Sequence, residues 1–178
     1  LMWASEEGHT EVVKLLLGER APVNEKAHDQ NGSTALMLAS FYCHPEVVKL
    51  LLDNGALLDE KDDDGDTALL SATFEGKGNT EVVKLLLEKD ESVNLKNKVG
   101  HTALIRASLY GHTEAVKLLL DKSASVVEED TEGMTALMQA SQEGHTEAVK
   151  LLLNKGALID KQTKNGDTAL MLASQKDR

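Results

Sequence analysis

Residues 100–132 read GHTALIRASLYGHTEAVKLLLDKSASVVEEDTE, and variants of this stretch recur along the chain of 178 residues. The string Thr-Ala-Leu stands two residues after a glycine five times, at spacings of 33, 35, 33 and 33 residues. The glycines that mark these repeats are Gly32, Gly65, Gly100, Gly133 and Gly166. A fixed period of about 20–50 residues predicts an array of stacked units rather than one globular core.

A second string, Glu-(Val/Ala)-Val-Lys-Leu-Leu-Leu, follows in each unit. It begins at Glu11, Glu46, Glu81, Glu114 and Glu147. Each unit therefore predicts two short helices, which in the quoted stretch cover 102–109 and 114–120 with a Gly-His turn between them. A threonine or Pro45 begins the second helix, where threonine can cap and proline lacks an N–H that would be unpaired. The apolar surface of the second helix is so broad that neighbouring units must cover it on both sides.

The polar segment that follows the second helix predicts a hairpin-like connection with a turn at its tip, because it is rich in Asp, Asn, Lys and Gly. The spacings of 35 residues place one two-residue insertion within 24–31 and another around 76–79.

The pattern Gly-x-Thr-Ala-Leu-x-x-Ala-Ser-x-x-Gly-His-x-Glu-x-Val-x-x-Leu-Leu-x-x-Gly-Ala resembles the ankyrin repeat, over essentially the whole chain. The resemblance implies an all-α solenoid of stacked helix-turn-helix units joined by β-hairpin-like loops. We expect one array over residues 1–178. Its units would be a partial repeat 1–31, full repeats 32–64, 65–99, 100–132 and 133–165, and a partial repeat 166–178. Neither end resembles a polar capping repeat, so we expect the chain to be part of a longer protein.

Two departures from the family pattern stand out. The usual Thr-Pro-Leu-His reads Thr-Ala-Leu-Met at Thr34, Thr135 and Thr168. We expect apolar packing to replace the hydrogen bonds that the histidine would make. Cys43 occupies the turn position that is glycine in other units, at Gly8, Gly111 and Gly144, so we expect strain in that turn.

Composition excludes several classes of protein. The chain has 19 Lys and Arg against 30 Asp and Glu, a net charge of −11, which argues against binding to nucleic acid or anionic membranes. Its apolar runs are too short for a transmembrane span. The single cysteine, Cys43, excludes an internal disulfide. Only 3% of the residues are aromatic, so leucine is expected to fill the interior.

Four histidines share one repeat position: His9, His44, His112 and His145. They could be metal ligands or acid–base groups, but ligands of one ion must converge, and residues one period apart do not. The resemblance implies structural histidines at the turn between the helices. Residues 60–66 partly imitate a calcium loop, but Ser71 stands where the bidentate acid is required. We predict no enzyme activity, no cofactor and no metal.

The aromatic residues point to a binding surface. Counted from each unit's glycine, Phe41 and Phe74 hold the ninth place and Tyr42 and Tyr110 the tenth, while Trp3 aligns with the variable sixth place. All five are therefore predicted on first helices, which the resemblance places along a concave groove that grips partners. Tyr and Trp are also enriched in binding hot spots. The alternative is that the two phenylalanines fold back into the core.

The hairpin tips carry alternating charge. Residues 62–66 and 128–132 are acidic, whereas 96–98 and 161–164 are basic, so a partner with a matching charge order would be steered into register. The predicted partner-binding residues are Trp3, Leu38, Phe41, Tyr42, Asp63, Asp64, Asp66, Phe74, Glu75, Lys98, His101, Arg106, Tyr110, Glu132 and Gln139.

The sequence thus predicts a monomeric, non-enzymatic protein–protein interaction module. Its partner would be a protein or peptide of basic or mixed charge, with no nucleic acid and no membrane insertion. An intracellular location is expected, in the cytoplasm, with the nucleus as the alternative. Three alternatives stay open: a regulatory or targeting segment of a larger enzyme, channel or effector; a small-ligand receptor; and a passive spacer. A receptor would need clustered cations, and Arg106 and Lys98 stand nearly alone.

Overall fold

The computed structural model describes residues 1–27, 31–74, 80–89 and 92–175. Within these ranges the chain forms eleven helices, and its only β structure is isolated bridges. The helices are α1 (Met2–Glu6), α2 (Thr10–Gly18), α3 (Ala35–Phe41), α4 (Pro45–Asp53), α5 (Ala68–Ala72), α6 (Thr80–Lys89), α7 (Ala103–Leu109), α8 (Thr113–Asp121), α9 (Ala136–Glu143), α10 (Thr146–Asn154) and α11 (Ala169–Gln175). The predicted two-helix repeat is confirmed, and the predicted insertions fall partly outside the described residues.

The chain forms two compact units. Unit 1 holds Leu1–Ala72 and Asn79–Ser92, and unit 2 holds Thr73–Gly78 and Val93–Arg178. In unit 1 the first helices α1, α3 and α5 contact one another in sequence, and the second helices α2, α4 and α6 do the same. Unit 2 repeats this arrangement with α7, α9 and α11 in one layer and α8 and α10 in the other. Each unit is therefore a two-layered stack of helix pairs.

Aliphatic side chains fill the interior of both units. In unit 1 the largest fully buried side chains include Leu36, Leu51 and Leu70, and in unit 2 they include Leu104 and Leu119. None of the five aromatic side chains belongs to this buried set. The prediction of a leucine interior is confirmed.

The threonine of each Thr-Ala-Leu string caps a first helix. Thr34, Thr102 and Thr135 accept a hydrogen bond through Oγ1 from the backbone N–H three residues later, at 3.2–3.3 Å. This bond satisfies one of the N–H groups that the first turn of a helix leaves unpaired. The threonines at the start of α2, α8 and α10 (Thr10, Thr113 and Thr146) do not cap, contrary to the expectation. Thr113 is instead the first helical residue, and its hydroxyl donates to the Gly111 carbonyl.

Methionine replaces the family's histidine with a hydrogen bond as well as with packing. The Sδ atoms of Met37 and Met138 accept the backbone N–H of Thr34 and Thr135, each at 3.4 Å. A thioether is a weak acceptor. The expectation of purely apolar packing at this position is therefore wrong.

One short side chain organises each of four hairpin tips in the described part of the chain. Asp62, Asn97, Asp130 and Thr163 each accept two backbone N–H groups through one side-chain oxygen, from the residues two and four positions later. The same four residues donate their own N–H across the turn. The predicted hairpin-like connections are confirmed. Asp62 uses its carboxylate for the turn, which agrees with a structural role for the calcium-like sequence.

Candidate functional site

The predicted site residues lie at three levels along the repeat. Asp63, Lys98 and Glu132 are at hairpin tips, Arg106 is within a first helix, and Tyr110 follows the end of that helix. A helix of seven residues such as α7 is about 10 Å long. The charged tips and the aromatic residues are therefore separated by roughly the length of a first helix.

The aromatic residues concentrate where the first helices end. Phe41 is the last residue of α3, and Tyr42 and Tyr110 are the C-cap residues of α3 and α7. Phe74 lies two residues beyond the end of α5, whereas Trp3 is inside α1. The prediction that all five lie on first helices is therefore wrong for three of them. The turns after α3 and α7 contain a residue with positive φ, Cys43 at 66° and Gly111 at 70°, and these two helices end before it. The spacing of the sequence alone did not show where they end.

Unit 1 presents a pair of adjacent rings. The ring centroids of Phe41 and Tyr42 are 5.0 Å apart in an edge-on arrangement, and the two residues are 42% and 41% exposed. Partial burial raises the pKa of Tyr42. A hydrogen bond to the Glu6 carboxylate and the negative charges of Glu6 and Glu7 raise this pKa further. The alternative in which Phe41 folds into the core is excluded by its exposure.

Unit 2 presents a larger aromatic group. The Phe74 and Tyr110 centroids are 5.7 Å apart, and the Tyr110 and His112 centroids 6.0 Å. The guanidinium carbon of Arg106 lies 5.2 Å from the centre of the Phe74 ring, within cation–π range. Phe74 is 36% exposed, so it too lies outside the core.

Histidines at the repeated turn position hold the ends of the first helices. The Nε2 atoms of His44, His112 and His145 lie 2.8–3.1 Å from carbonyl oxygens of the preceding repeat, those of Glu6, Phe74 and Leu109. The structural role of these three histidines is confirmed. Because His112 bonds the backbone of Phe74 itself, the aromatic group of unit 2 is fixed by main-chain as well as ring contacts.

The turn glycines make room for these histidines. A Cβ on Gly8 would lie 2.4 Å from the His44 ring, and one on Gly111 would lie 2.5 Å from the His145 ring. Both glycines have positive φ, and so does Cys43, at 66°. A side chain in this conformation is unfavourable, so the predicted strain at Cys43 is confirmed.

The variable sixth place is mostly buried. Arg106 is 5% exposed, and Leu38 and Gln139 are each 8% exposed, whereas Trp3 is 69% exposed. The three buried side chains offer a partner little surface of their own. Of the three, Arg106 contacts an exposed ring, that of Phe74.

Lysines join successive hairpins, a role that was missed in the sequence. Lys26 and Lys96 each donate to a backbone carbonyl of the next hairpin and pair with a glutamate there, Glu60 at 2.9 Å and Glu128 at 2.8 Å. The sequence contains a signal for this role, because each lysine stands about one repeat period before the glutamate that it pairs with. Some of the charged side chains of the hairpins therefore pair with one another within the chain. Lys98 and Glu132 are exposed to solvent.

No group of three or more His, Cys, Asp or Glu in the described ranges could hold a metal ion. In the same ranges, every helix is too short or too polar to traverse a lipid bilayer. Glu75, another of the predicted site residues, lies outside the described residues.

Comparison with protein families gives a match over the whole chain. The family model described as ankyrin repeats (3 copies) matches residues 1–97, 57–130, 77–163 and 126–178. None of the curated proteins compared with the chain matches it.

Proposed function

The chain belongs to the ankyrin-repeat family, and we propose that it is a non-enzymatic module that binds a protein or peptide through its groove face and hairpin tips. Proteins built from ankyrin repeats are generally protein–protein interaction modules and typically lack catalysis. Because the fold alone does not fix function, the proposal depends on the surface of this chain.

The observation that carries the proposal is the pair of exposed aromatic groups held at the ends of first helices. Aromatic side chains supply large contact areas with few rotatable bonds, and they dominate the energetics of many interfaces. Here the rings of Phe41 and Tyr42 in unit 1, and of Phe74 and Tyr110 in unit 2, contact each other outside the leucine core. Surface rings fixed in this way suit recognition better than passive spacing.

We further propose an intracellular, monomeric protein whose partner is a protein segment of basic or mixed charge. The net charge of −11 supports this partner class, because complementary charge raises association rates and selects against acidic partners. It also opposes binding to nucleic acid and to anionic membranes.

Affinity capture from lysate of the source cells, followed by titration of the purified partner, tests the proposal. The double variant Tyr42→Ala/Tyr110→Ala should weaken binding by about tenfold or more, because hot-spot truncations cost more than about 1 kcal/mol each. Its melting temperature should stay within a few degrees of the wild type, since both residues lie outside the core.

The matched control is Leu57→Ala/Leu158→Ala, which truncates two side chains that are 48% and 56% exposed and far from the aromatic groups in sequence. This control should bind as the wild type does. If both double variants bind the partner equally well, or if no captured protein binds saturably, the proposed surface is wrong.

A further inference from the structure

A recess opens in unit 2 between the hairpin tips at 130–134 and 163–167 and the helices α9 and α11. Its volume is about 300 Å³, and it is open to solvent on one side. Carboxylates of Asp130, Glu132 and Asp167 lie among its lining residues, together with the apolar side chains of Met134 and Leu172. The recess is large enough for one long side chain of a partner.

The carboxylates differ in how far the protein already uses them. The Asp130 side chain is 7% exposed and accepts hydrogen bonds from two backbone N–H groups of its own turn and from Gln139 Nε2 at 3.3 Å. Among the described residues, Glu132 and Asp167 take part in the turns through their backbone N–H and carbonyl groups. Glu132 and Asp167 therefore supply the charge that a ligand would meet.

In the preceding repeat of the same unit, basic residue types stand at two places whose equivalents line the recess. There the first and sixth residues after the repeat glycine are His101 and Arg106. His101 Nε2 lies 3.5 Å from Asp130 Oδ2, and Arg106 lies over the Phe74 ring. In the next repeat the same two places hold Met134 and Gln139, and none of the described residues lining the recess is basic.

We propose that this recess, the arginine pocket, receives an arginine side chain of the bound protein segment; the inference rests on the proposed function. A guanidinium is planar and donates several N–H groups in a fixed fork, which suits two carboxylates placed on separate hairpins. Its aliphatic stem and flat faces can lie against Met134 and Leu172. The Gln139 amide donates its N–H to Asp130, so its oxygen is the amide atom left to accept from a ligand.

Arginine fits the pocket better than lysine does. A lysine ammonium is a compact and strongly hydrated charge, and it cannot bond two separated carboxylates in one plane. Citrulline has nearly the shape of arginine without its charge. Comparing arginine, lysine and citrulline therefore distinguishes the contribution of charge to binding from the contribution of side-chain shape.

Nuclear magnetic resonance of the full 178-residue chain tests the proposal with three peptides of sequence acetyl-Gly-Ser-Ala-X-Ala-Ser-Gly-amide, where X is arginine, lysine or citrulline. The arginine peptide should shift the side-chain amides of Gln139, Gln142 and Asn165 saturably. It should bind at least about tenfold more tightly than the citrulline peptide, with lysine between them. Equal shifts from arginine and citrulline, or no saturable shift at about 10 mM peptide, would overturn the assignment.

Paired variants keep the outcome specific to the pocket. Glu132→Gln/Asp167→Asn should remove the preference for arginine over citrulline. Glu114→Gln/Asp160→Asn removes the same charge from exposed positions outside the pocket and should retain that preference. Loss of the preference in both variants would show general charge attraction and would sink the pocket.

The two proposals fail separately. If a captured partner depends on the tyrosines but arginine peptides leave the pocket unperturbed, only the arginine pocket is wrong. If the pocket selects arginine but no protein binds the chain saturably, only the interaction function is wrong.

Discussion

The two aromatic groups occupy the same places in the repeat yet are built differently. In unit 1, Phe41 and Tyr42 are neighbours in sequence and come from the end of one helix. In unit 2, Phe74 and Tyr110 come from different repeats and their ring centroids are 5.7 Å apart, with the Arg106 guanidinium over the Phe74 ring. The ninth and tenth places of the repeat thus generate two surfaces of different composition from one frame.

This difference indicates that one set of residues specifies the repeated helical frame and another set specifies the variable surface. The threonine caps, the turn histidines and the buried leucines recur in both units, whereas the sixth, ninth and tenth places change. Substitutions in the frame should therefore act alike in the two units, and substitutions at the variable places should act differently. The following predictions test this separation.

Truncating the core should produce the largest effect, of equal size in both units. Leu51 in α4 and Leu119 in α8 hold the same place in the second helix, and each is fully buried. Leu51→Ala and Leu119→Ala should each lower the free energy of unfolding by about 2–5 kcal/mol, because each removes buried surface and leaves a cavity. Urea unfolding followed by circular dichroism measures both. A neutral result in either unit would contradict the stacked core.

Alanine at the turn glycines should distinguish two positions that pack against a histidine ring of a following repeat from one that does not. Gly8, Gly111 and Gly144 all have positive φ, so each substitution carries a strain of about 1–2 kcal/mol. At Gly8 and Gly111 the new Cβ also meets a histidine ring at 2.4 and 2.5 Å, whereas at Gly144 no atom lies within 4 Å.

Gly8→Ala and Gly111→Ala should therefore lose about 1 kcal/mol or more beyond the loss in Gly144→Ala. The histidine rings cannot easily yield, since each is anchored to a carbonyl. Thermal unfolding of the three variants provides the measurement. Equal destabilisation of all three would mean that the rings move aside at little cost.

The frame could be predicted from the sequence, because it repeats. The period located the helix pairs, and the apolar second string identified Leu119 and its equivalents as core. The glycine at the turn could be seen in the sequence, but the contact that requires a glycine there could not. At Gly111 that contact is with the His145 ring, which comes from the following repeat. Contacts between repeats of this kind depend on the offset between stacked helices, which the spacing of residues does not give.

The surface was predicted less well, because side chains at variable places have no repeated signal. The sixth place was expected to face a partner, but Arg106 and Gln139 are buried. Their polar ends are accommodated by Phe74 in one case and by Asp130 in the other. Neither partner could be identified from one repeat alone, and the recess beside Gln139 depends on two hairpins and two helices together.

Removing the Arg106 charge should affect unit 2 more than the matched change affects unit 1. Arg106→Met keeps a long apolar stem but loses the cation over Phe74, which should cost about 1–2 kcal/mol of stability. Leu38→Met changes the equivalent place in unit 1 with nearly constant volume and should cost less than about 1 kcal/mol. Chemical denaturation compares the two. A larger loss in Leu38→Met would show that the cation contributes nothing at this place.

The smallest expected effect concerns the lysines that join successive hairpins, which belong to the frame. Lys26→Met in unit 1 and Lys96→Met in unit 2 should each cost less than about 1 kcal/mol at neutral pH, since both ion pairs are partly exposed. High salt should reduce both losses through screening. A loss well above this range in one unit alone would separate the two hairpin contacts and weaken the idea of a common frame.

The hydrogen bond from Lys96 lowers the pKa of the Glu128 carboxyl, although burial partly opposes it. A depressed carboxyl pKa stabilises the fold above the pKa of the unfolded chain, about 4.3, and this contribution disappears as pH falls through the lower folded value. The stability difference between the wild type and Lys96→Met should therefore be constant near neutral pH and shrink below about pH 4. A part should persist at low pH, because Lys96 also donates to the Glu129 carbonyl. Unfolding measured across this range would contradict the assignment if the difference grew on acidification.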